Sequence, residues 1–317
     1  MNKKYVVGID LGGTTISGGV LDYEGNIVFR HTIDTKSELG EEIVLERIIK
    51  VIDYVIKKSK IPKNNIKAIG IGSPGPLDIE KGIIITSPNL PFKNFNIVNP
   101  IKNHFKISVY LDNDANAAAV GEYKFGSGKG SRNMIFITVS TGIGGGAILN
   151  GNIYRGSSSN ALEIGHMTLK KDGAICNCGN FGCAEALASG TAIAKKARME
   201  LNRGKGSSLK KLKKISAYNV FQEAKNGDKL AQEIVDEALE YLGICVSNII
   251  ITFDPDTIVI GGGVSKAGDI IFNKINQVVK ERCFEAMWKN TKIIKALLLE
   301  DAGIIGAASL AIFEESK

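Results

Sequence analysis

An α/β protein with two similar lobes and a cleft between them is what this chain of 317 residues predicts, and three observations carry it. Short apolar strands alternate with amphipathic helices through both halves. One pattern occurs twice: residues 6–28 read VVGIDLGGTTISGGVLDYEGNIV and residues 135–154 read IFITVSTGIGGGAILNGNIY. Each is an apolar strand, a turn of small residues, a second strand and an EGN or NGN turn, and so reads as a β-hairpin leading one half of the protein. With 44% hydrophobic residues the chain has enough apolar surface for two cores.

The elements follow in order. Residues 5–10 are the first strand. Residues 38–59 place Ile43, Val44, Ile48, Val51, Ile52 and Val55 at helical spacing. Residues 68–73 and 109–112 read as short buried strands, and alanine-rich 115–123 as a helix starting just after Asp114. Residues 190–202 and 231–251 read as helices, 257–260 as a buried strand ending in glycines, 270–287 as a helix, and 303–313 as a closing helix of small residues. The expected division is a small N-terminal lobe, 1–114, completed by 303–317, and a larger C-terminal lobe, 115–302. Ligands are expected in the cleft.

The formal charge is +7, and the one dense basic run, residues 203–214 (RGKGSSLKKLKK), carries its own Gly and Ser and reads as a solvated connection. A positive field equally favours small anions such as nucleotides, and no nucleic-acid partner is expected. No apolar run reaches the ~20 residues of a membrane span. No leader precedes the first strand, and five cysteines, an odd number, suit reduced thiols; the expectation is a cytoplasmic protein with no membrane partner.

Residues 163–185, EIGHMTLKKDGAICNCGNFGCAE, bring one imidazole and three thiols into a short loop between two carboxylates. His166, Cys176, Cys178 and Cys183 are the soft set that tetrahedral zinc accepts, and Gly173, Gly179 and Gly182 let the loop fold back. Four protein ligands close the shell, which points to a structural zinc. Three buried apolar cysteines would be the plain alternative, but a polar, glycine-rich loop seldom buries free thiols. Cys245 and Cys283 stand alone in apolar helices.

Three glycine-rich turns end apolar strands. Asp10, Gly12, Gly13, Thr14 and Thr15 combine a carboxylate, two residues without side chains and two hydroxyls, which suits a polyphosphate with its Mg²⁺. Residues 140–146 (STGIGGG) and 260–265 (IGGGVS) repeat the theme. The G-x-x-x-x-G-K-[ST] phosphate loop is absent, and the second turn opens a hairpin and lacks the spacing of a dinucleotide fingerprint. Between strand and helix, residues 111–116 (LDNDAN) offer Asp114 either as a helix cap or as a general base, with Asn113 donating to a neighbouring hydroxyl.

Together these pieces resemble the ROK family of repressors, open reading frames and kinases, over essentially the whole chain, with EIGH followed by CNCGNFGCAE as the most specific part. The resemblance implies the two-lobed, actin-like ATPase (ribonuclease H-like) fold of the hexokinases. It places the first phosphate motif on Asp10, Gly12, Gly13 and Thr14, the second on Thr141, Gly142 and Gly144, and the adenosine motif on Gly261, Gly262 and Gly263. Asp114 falls on the catalytic aspartate, and Gly75, Asn89, Asn113, Asp114, Glu163, His166 and Glu185 on the sugar-contacting positions. The zinc ligands fall on His166, Cys176, Cys178 and Cys183. Implied partners are ATP with Mg²⁺ and a hexose or N-acetylhexosamine, in a homodimer or homotetramer.

The expected activity is transfer of the γ-phosphate to a sugar 6-hydroxyl, with glucose ahead of N-acetylmannosamine, and fructose, mannose, allose or N-acetylglucosamine behind. DNDANAAAVGE and EIGHM resemble glucokinases, whereas residues 156–162, GSSSNAL, depart from the Asn-Gly-Ala-like approach common there and look more like N-acetylmannosamine kinases. The family's repressors carry an N-terminal helix-turn-helix, for which residues before Tyr5 leave no room, so a sugar-sensing regulator is the lesser expectation.

Overall fold

Two five-stranded sheets built on one plan hold the molecule's turns in place. The computed structural model describes residues 4–87 and 89–316. β1 (Tyr5–Leu11), β2 (Thr15–Asp22) and β3 (Ile27–Asp34) form an antiparallel meander, and α1 (Glu41–Ser59) leads back to β4 (Ile66–Ser73), parallel to β1. A small antiparallel sheet follows, of β5 (Leu77–Asp78), β6 (Ile83–Thr86) and β7 (Lys93–Asn96), then α2 (Val98–Phe105). β8 (Ser108–Asn113) adds parallel to β4, for the order β3-β2-β1-β4-β8, and α3 (Asp114–Phe125) leaves it directly.

The second sheet takes β9 (Met134–Val139), β10 (Ile143–Leu149) and β11 (Asn152–Tyr154). Four helices come next: α4 (Ala184–Ala188), α5 (Gly190–Asn202), α6 (Ala217–Lys225) and α7 (Lys229–Phe253). β12 (Thr257–Gly261), α8 (Asp269–Arg282), α9 (Glu285–Trp288), β13 (Lys292–Lys295) and α10 (Ala302–Glu315) complete the chain. Its order, β11-β10-β9-β12-β13, again reads third, second, first, fourth, fifth, so the echo between residues 6–28 and 135–154 extends to a whole sheet.

Contacts gather the described chain into two units. One holds the residues up to Arg132, Gly146–Ala161 and those from Leu297 on; the other holds Asn133–Gly145 and Leu162–Ala296.

In the first unit the alternation of β1 divides its side chains between two cores. Val7, Ile9 and Leu11 pack in one with Val44, Ile48, Val51, Ile52 and Val55 of α1, while Val6 joins Ile304, Ile305, Ala308, Ala311 and Ile312 of α10. Glycine permits the second contact: a Cβ on Gly8 would lie 2.3 Å from the Ile304 carbonyl oxygen, and one on Gly70 would lie 1.8 Å from that of Ala307. In the second unit, β12 pairs parallel with β9 and β13, and α7 and α8 pack so closely that a Cβ on Gly243 would meet Val278 at 2.6 Å.

Three local readings are corrected. Helix α1 starts at Glu41, because Gly40, at φ 90°, separates it from a short 3₁₀ turn at Ser37–Leu39. The helix expected over 270–287 is two helices, since Cys283 is extended at φ −100°, ψ 152°. Helix α3 includes Asp114, and its cap is Asn113, whose Oδ1 accepts the Ala115 N–H at 2.8 Å. No helix among the described residues is long and apolar enough to cross a membrane.

Candidate active site

The first unit assembles one set of the expected residues around the ends of β1, β4 and β8. The turn after β1 is closed by the Gly12 N–H donating to the Thr15 carbonyl at 2.9 Å. Hydroxyls of Thr35 and Ser37 hold the Gly12 and Gly13 carbonyls at 2.6 and 2.5 Å, so the turn is braced from the far end of the meander. Asn89 lies on Gly13: a Cβ there would meet Asn89 Cβ at 2.5 Å. Gly75, in a cis peptide with Pro76, approaches Asn113; a Cβ on it would be 3.7 Å from the Asn113 amide nitrogen.

Two carboxylates face each other electrostatically here. Burial pushes the Asp10 carboxyl up to about 6, and the Asp114 charge adds to the rise. Its Oδ2 rests against Gly303 at the amino end of α10, whose dipole acts the other way; burial prevails. Asp114 is surrounded by protein yet open to solvent. Burial raises its carboxyl above the ordinary value, against the pull of the Ala115 N–H that its Oδ1 accepts at 2.8 Å. A carboxylate held in this way is suited to take up a proton.

The second unit assembles the other set. Parallel pairing of β9 with β12 sets the turn at 140–146 beside that at 261–263: a Cβ on Gly262, at φ 84°, would lie 2.4 Å from the Val139 carbonyl oxygen. Glu185, in the first turn of α4, reaches back to the same place, with Oε2 accepting the Ile143 N–H at 3.1 Å. Gly142 is therefore pressed against Glu185: a Cβ there would lie 2.2 Å from Oε2, so the carboxylate would have to shift.

Glu185 also borders the cysteine loop, its Oε1 lying 3.9 Å from Cys176 Sγ. The four ligand atoms of His166, Cys176, Cys178 and Cys183 lie within 4.8 Å of one another. Cys178 and Cys183 Sγ are 3.7 Å apart, as are Cys176 Sγ and His166 Nδ1. A tetrahedral zinc with Zn–S of about 2.3 Å sets sulfurs about 3.8 Å apart, so the residues fit that ion. The loop reaches this shape through left-handed Gly179 and Gly182, the latter so close to the Lys170 carbonyl that a Cβ would stand 1.6 Å from it. Without metal the thiols diverge: burial pushes Cys183 up to about 12, while an Asn180 backbone N–H draws Cys178 down to about 7.

The expected site residues thus divide between the two units. Asp10, Gly12, Gly13, Thr14, Gly75, Asn89, Asn113 and Asp114 belong to the first unit; Thr141, Gly142, Gly144, Glu163, His166, Glu185, the three cysteines and Gly261–263 belong to the second. Sequence reasoning passed over Thr35, Ser37, Asp112 and Arg155, which touch the site only through other residues and carry no local motif.

A model of the ROK family matches residues 6–314. The chain belongs to the ROK family. This ROK chain is 37% identical to a glucokinase of Thermotoga maritima, over 98% of each sequence. It is 30% identical to a ROK family glucokinase from Streptomyces griseus, solved in complex with glucose and AMPPNP, with a TM-score of 0.80 over 98% of this chain and 99% of that one. It is also 30% identical to a xylose repressor of Caldicellulosiruptor bescii, across 97% of this chain and 78% of the repressor. The fold is accordingly that of the ROK sugar kinases, the actin-like ATPase architecture expected for the family.

Proposed function

We propose that this protein is an ATP- and Mg²⁺-dependent hexose kinase acting on the 6-hydroxyl of glucose. The observation that carries the reading is the Asp114 carboxylate, raised by burial and fixed where β8 passes into α3, in a chain similar end to end to glucokinases. Asp114 accepts the proton of the 6-hydroxyl as that oxygen bonds to the γ-phosphorus and the bond to the bridging oxygen of ADP breaks.

Asn113, Gly75, Asn89, Glu163, His166 and Glu185 hold the sugar, whose hydroxyl pattern is discriminated because a wrong epimer leaves polar partners unpaired. Gly12 N–H is committed to its own turn, so Gly13 and Thr14 are the donors that turn offers to phosphate. Thr141, Gly142 and Gly144 supply the second phosphate turn, and Gly261, Gly262 and Gly263 border the adenosine. Mg²⁺ accompanying ATP would be held near Asp10, directly or through water, and offset phosphate charge. Zinc on His166, Cys176, Cys178 and Cys183 would be structural. With Nδ1 turned to the cluster, His166 keeps Nε2 for a sugar hydroxyl.

One observation favours N-acetylmannosamine as a second reading. Asn160, within the divergent GSSSNAL stretch, accepts the Leu77 N–H at 3.2 Å, which puts that stretch beside the Gly75 turn. ADP release with ATP and Mg²⁺ over a panel of sugars tests both. Preference for glucose is the expected result; preference for N-acetylmannosamine makes residues 156–162 the specificity determinant. No turnover with any sugar refutes the kinase and favours a sugar-sensing role.

A further inference from the structure

Asp112, two residues before the proposed base, is fully buried. Its Oδ1 accepts the Asn113 N–H and the Asn116 side-chain amide, each at 2.8 Å. Its Oδ2 accepts the Arg155 Nε–H at 2.7 Å. Arg155 arrives from the stretch just past β11, and its Nη2 donates to Glu314 of α10 at 2.7 Å. From Asp112 the connections run straight to the base. Asn113 caps α3 through the Ala115 N–H, and Asp114 Oδ1 shares that same N–H.

A buried ion pair would ordinarily be read as a stabilising contact, but desolvation cancels much of its attraction, and apolar residues of similar volume often serve as well. What an apolar pair could not do is hold two oxygens in fixed directions. Arg155 pairs with Asp112 at 2.7 Å, and the carboxylate so held sets the Asn113 N–H and the Asn116 amide at the amino end of α3.

The geometry points to Arg155 as a positioning residue for phosphoryl transfer: through Asp112 it holds the Asn113–Asp114 turn in the orientation from which Asp114 takes up the sugar proton. This rests on the reading of Asp114 as the base. Arg155 touches no reacting atom, and Asn113, which it holds through Asp112, is one of six residues proposed to hold the sugar, so its loss lowers the rate much more than the sugar affinity.

The test compares Arg155→Met, Asp112→Asn, the double variant and Asp114→Asn for kcat, sugar and ATP KM, equilibrium sugar binding and melting temperature. Asp112→Asn keeps an oxygen for the Asn113 N–H and breaks the ionic link alone. Misplacement of a catalytic group by about 1 Å costs up to about 10²-fold, so Arg155→Met and Asp112→Asn should each lower kcat about 10- to 100-fold. Sugar KM and affinity should stay within about threefold of the parent protein. The double variant should fall no further than the worse single one, because both break the same link. The proposal is overturned if Asp112→Asn, or folded Arg155→Met, keeps kcat within about twofold while only the melting temperature drops. If Arg155→Met does not fold, Asp112→Asn and the double variant decide by the same criterion. Full turnover in Asp114→Asn removes the base itself, a failure visible apart from anything Arg155 does.

Discussion

Asp10 and Asp114 are carboxylates in surroundings that disfavour their charge, and each gives a separate prediction. For Asp114, a raised pKa means that the proposed base is protonated sooner as pH falls, so the acid limb of kcat should lie above the ordinary carboxylate range. Asp114→Asn should lower kcat by about 10²- to 10⁴-fold while calorimetry still detects sugar binding; undiminished turnover would exclude the role. For Asp10, the folded-state value of about 6 lies above the unfolded 3.8, so its contribution to stability is complete below 3.8 and lost as pH rises through 6. That loss amounts to at most about 3 kcal/mol. Asp10→Asn should therefore melt higher than the parent at pH 8 in the absence of ATP, with the gap closing toward pH 4. A gap independent of pH would show that Asp10 carries no such strain. Both residues were legible in the sequence as carboxylates at strand ends. Their electrostatics were not, because these arise from chain segments distant in sequence, with Gly303 packed against Asp10.

At the scale of elements, close approach and the cysteine loop are each exposed to one substitution. The small-residue helix α10 lies directly on β1 and β4, and the Gly70 position has backbone, not a flexible side chain, in the way. Gly70→Ala should destabilise the protein by about 3 kcal/mol or more, measured by denaturant unfolding; a loss below about 1 kcal/mol would mean that α10 can move off the sheet. Cys178→Ser should reduce zinc content and melting temperature together, and metal analysis finding no zinc in the parent protein would end that reading. Periodicity revealed the long elements, α1, α7 and α10, because each buries one continuous face or, for α10, nearly every side chain. It missed β5, β6, β7 and α2, which are too short to show a period, and it ran α8 and α9 together because Cys283 turns the chain without Gly or Pro.

For the molecule as a whole, the first unit is made from three separated pieces of chain, and α10 closes one of its two cores from the far end of the sequence. A fragment of residues 1–132 should therefore fail to fold cooperatively alone, since Val6, Leu21 and Ala68 would lose the apolar face of Ile304, Ile305, Ala308, Ala311 and Ile312. A sharp, two-state melt of that fragment by circular dichroism would contradict this. The amino-acid sequence by itself determined the α/β class, the doubled strand plan, the glycine turns, the candidate base and the four-ligand loop, because each depends on residue type and spacing within a short stretch. Only the tertiary structure decided that Glu185 joins the cysteine loop to the Ile143 turn, and that Arg155 reaches Asp112. Those contacts follow from which segments the sheets and helices bring side by side, and hydrogen bonds between residues far apart in sequence leave no period or motif in it.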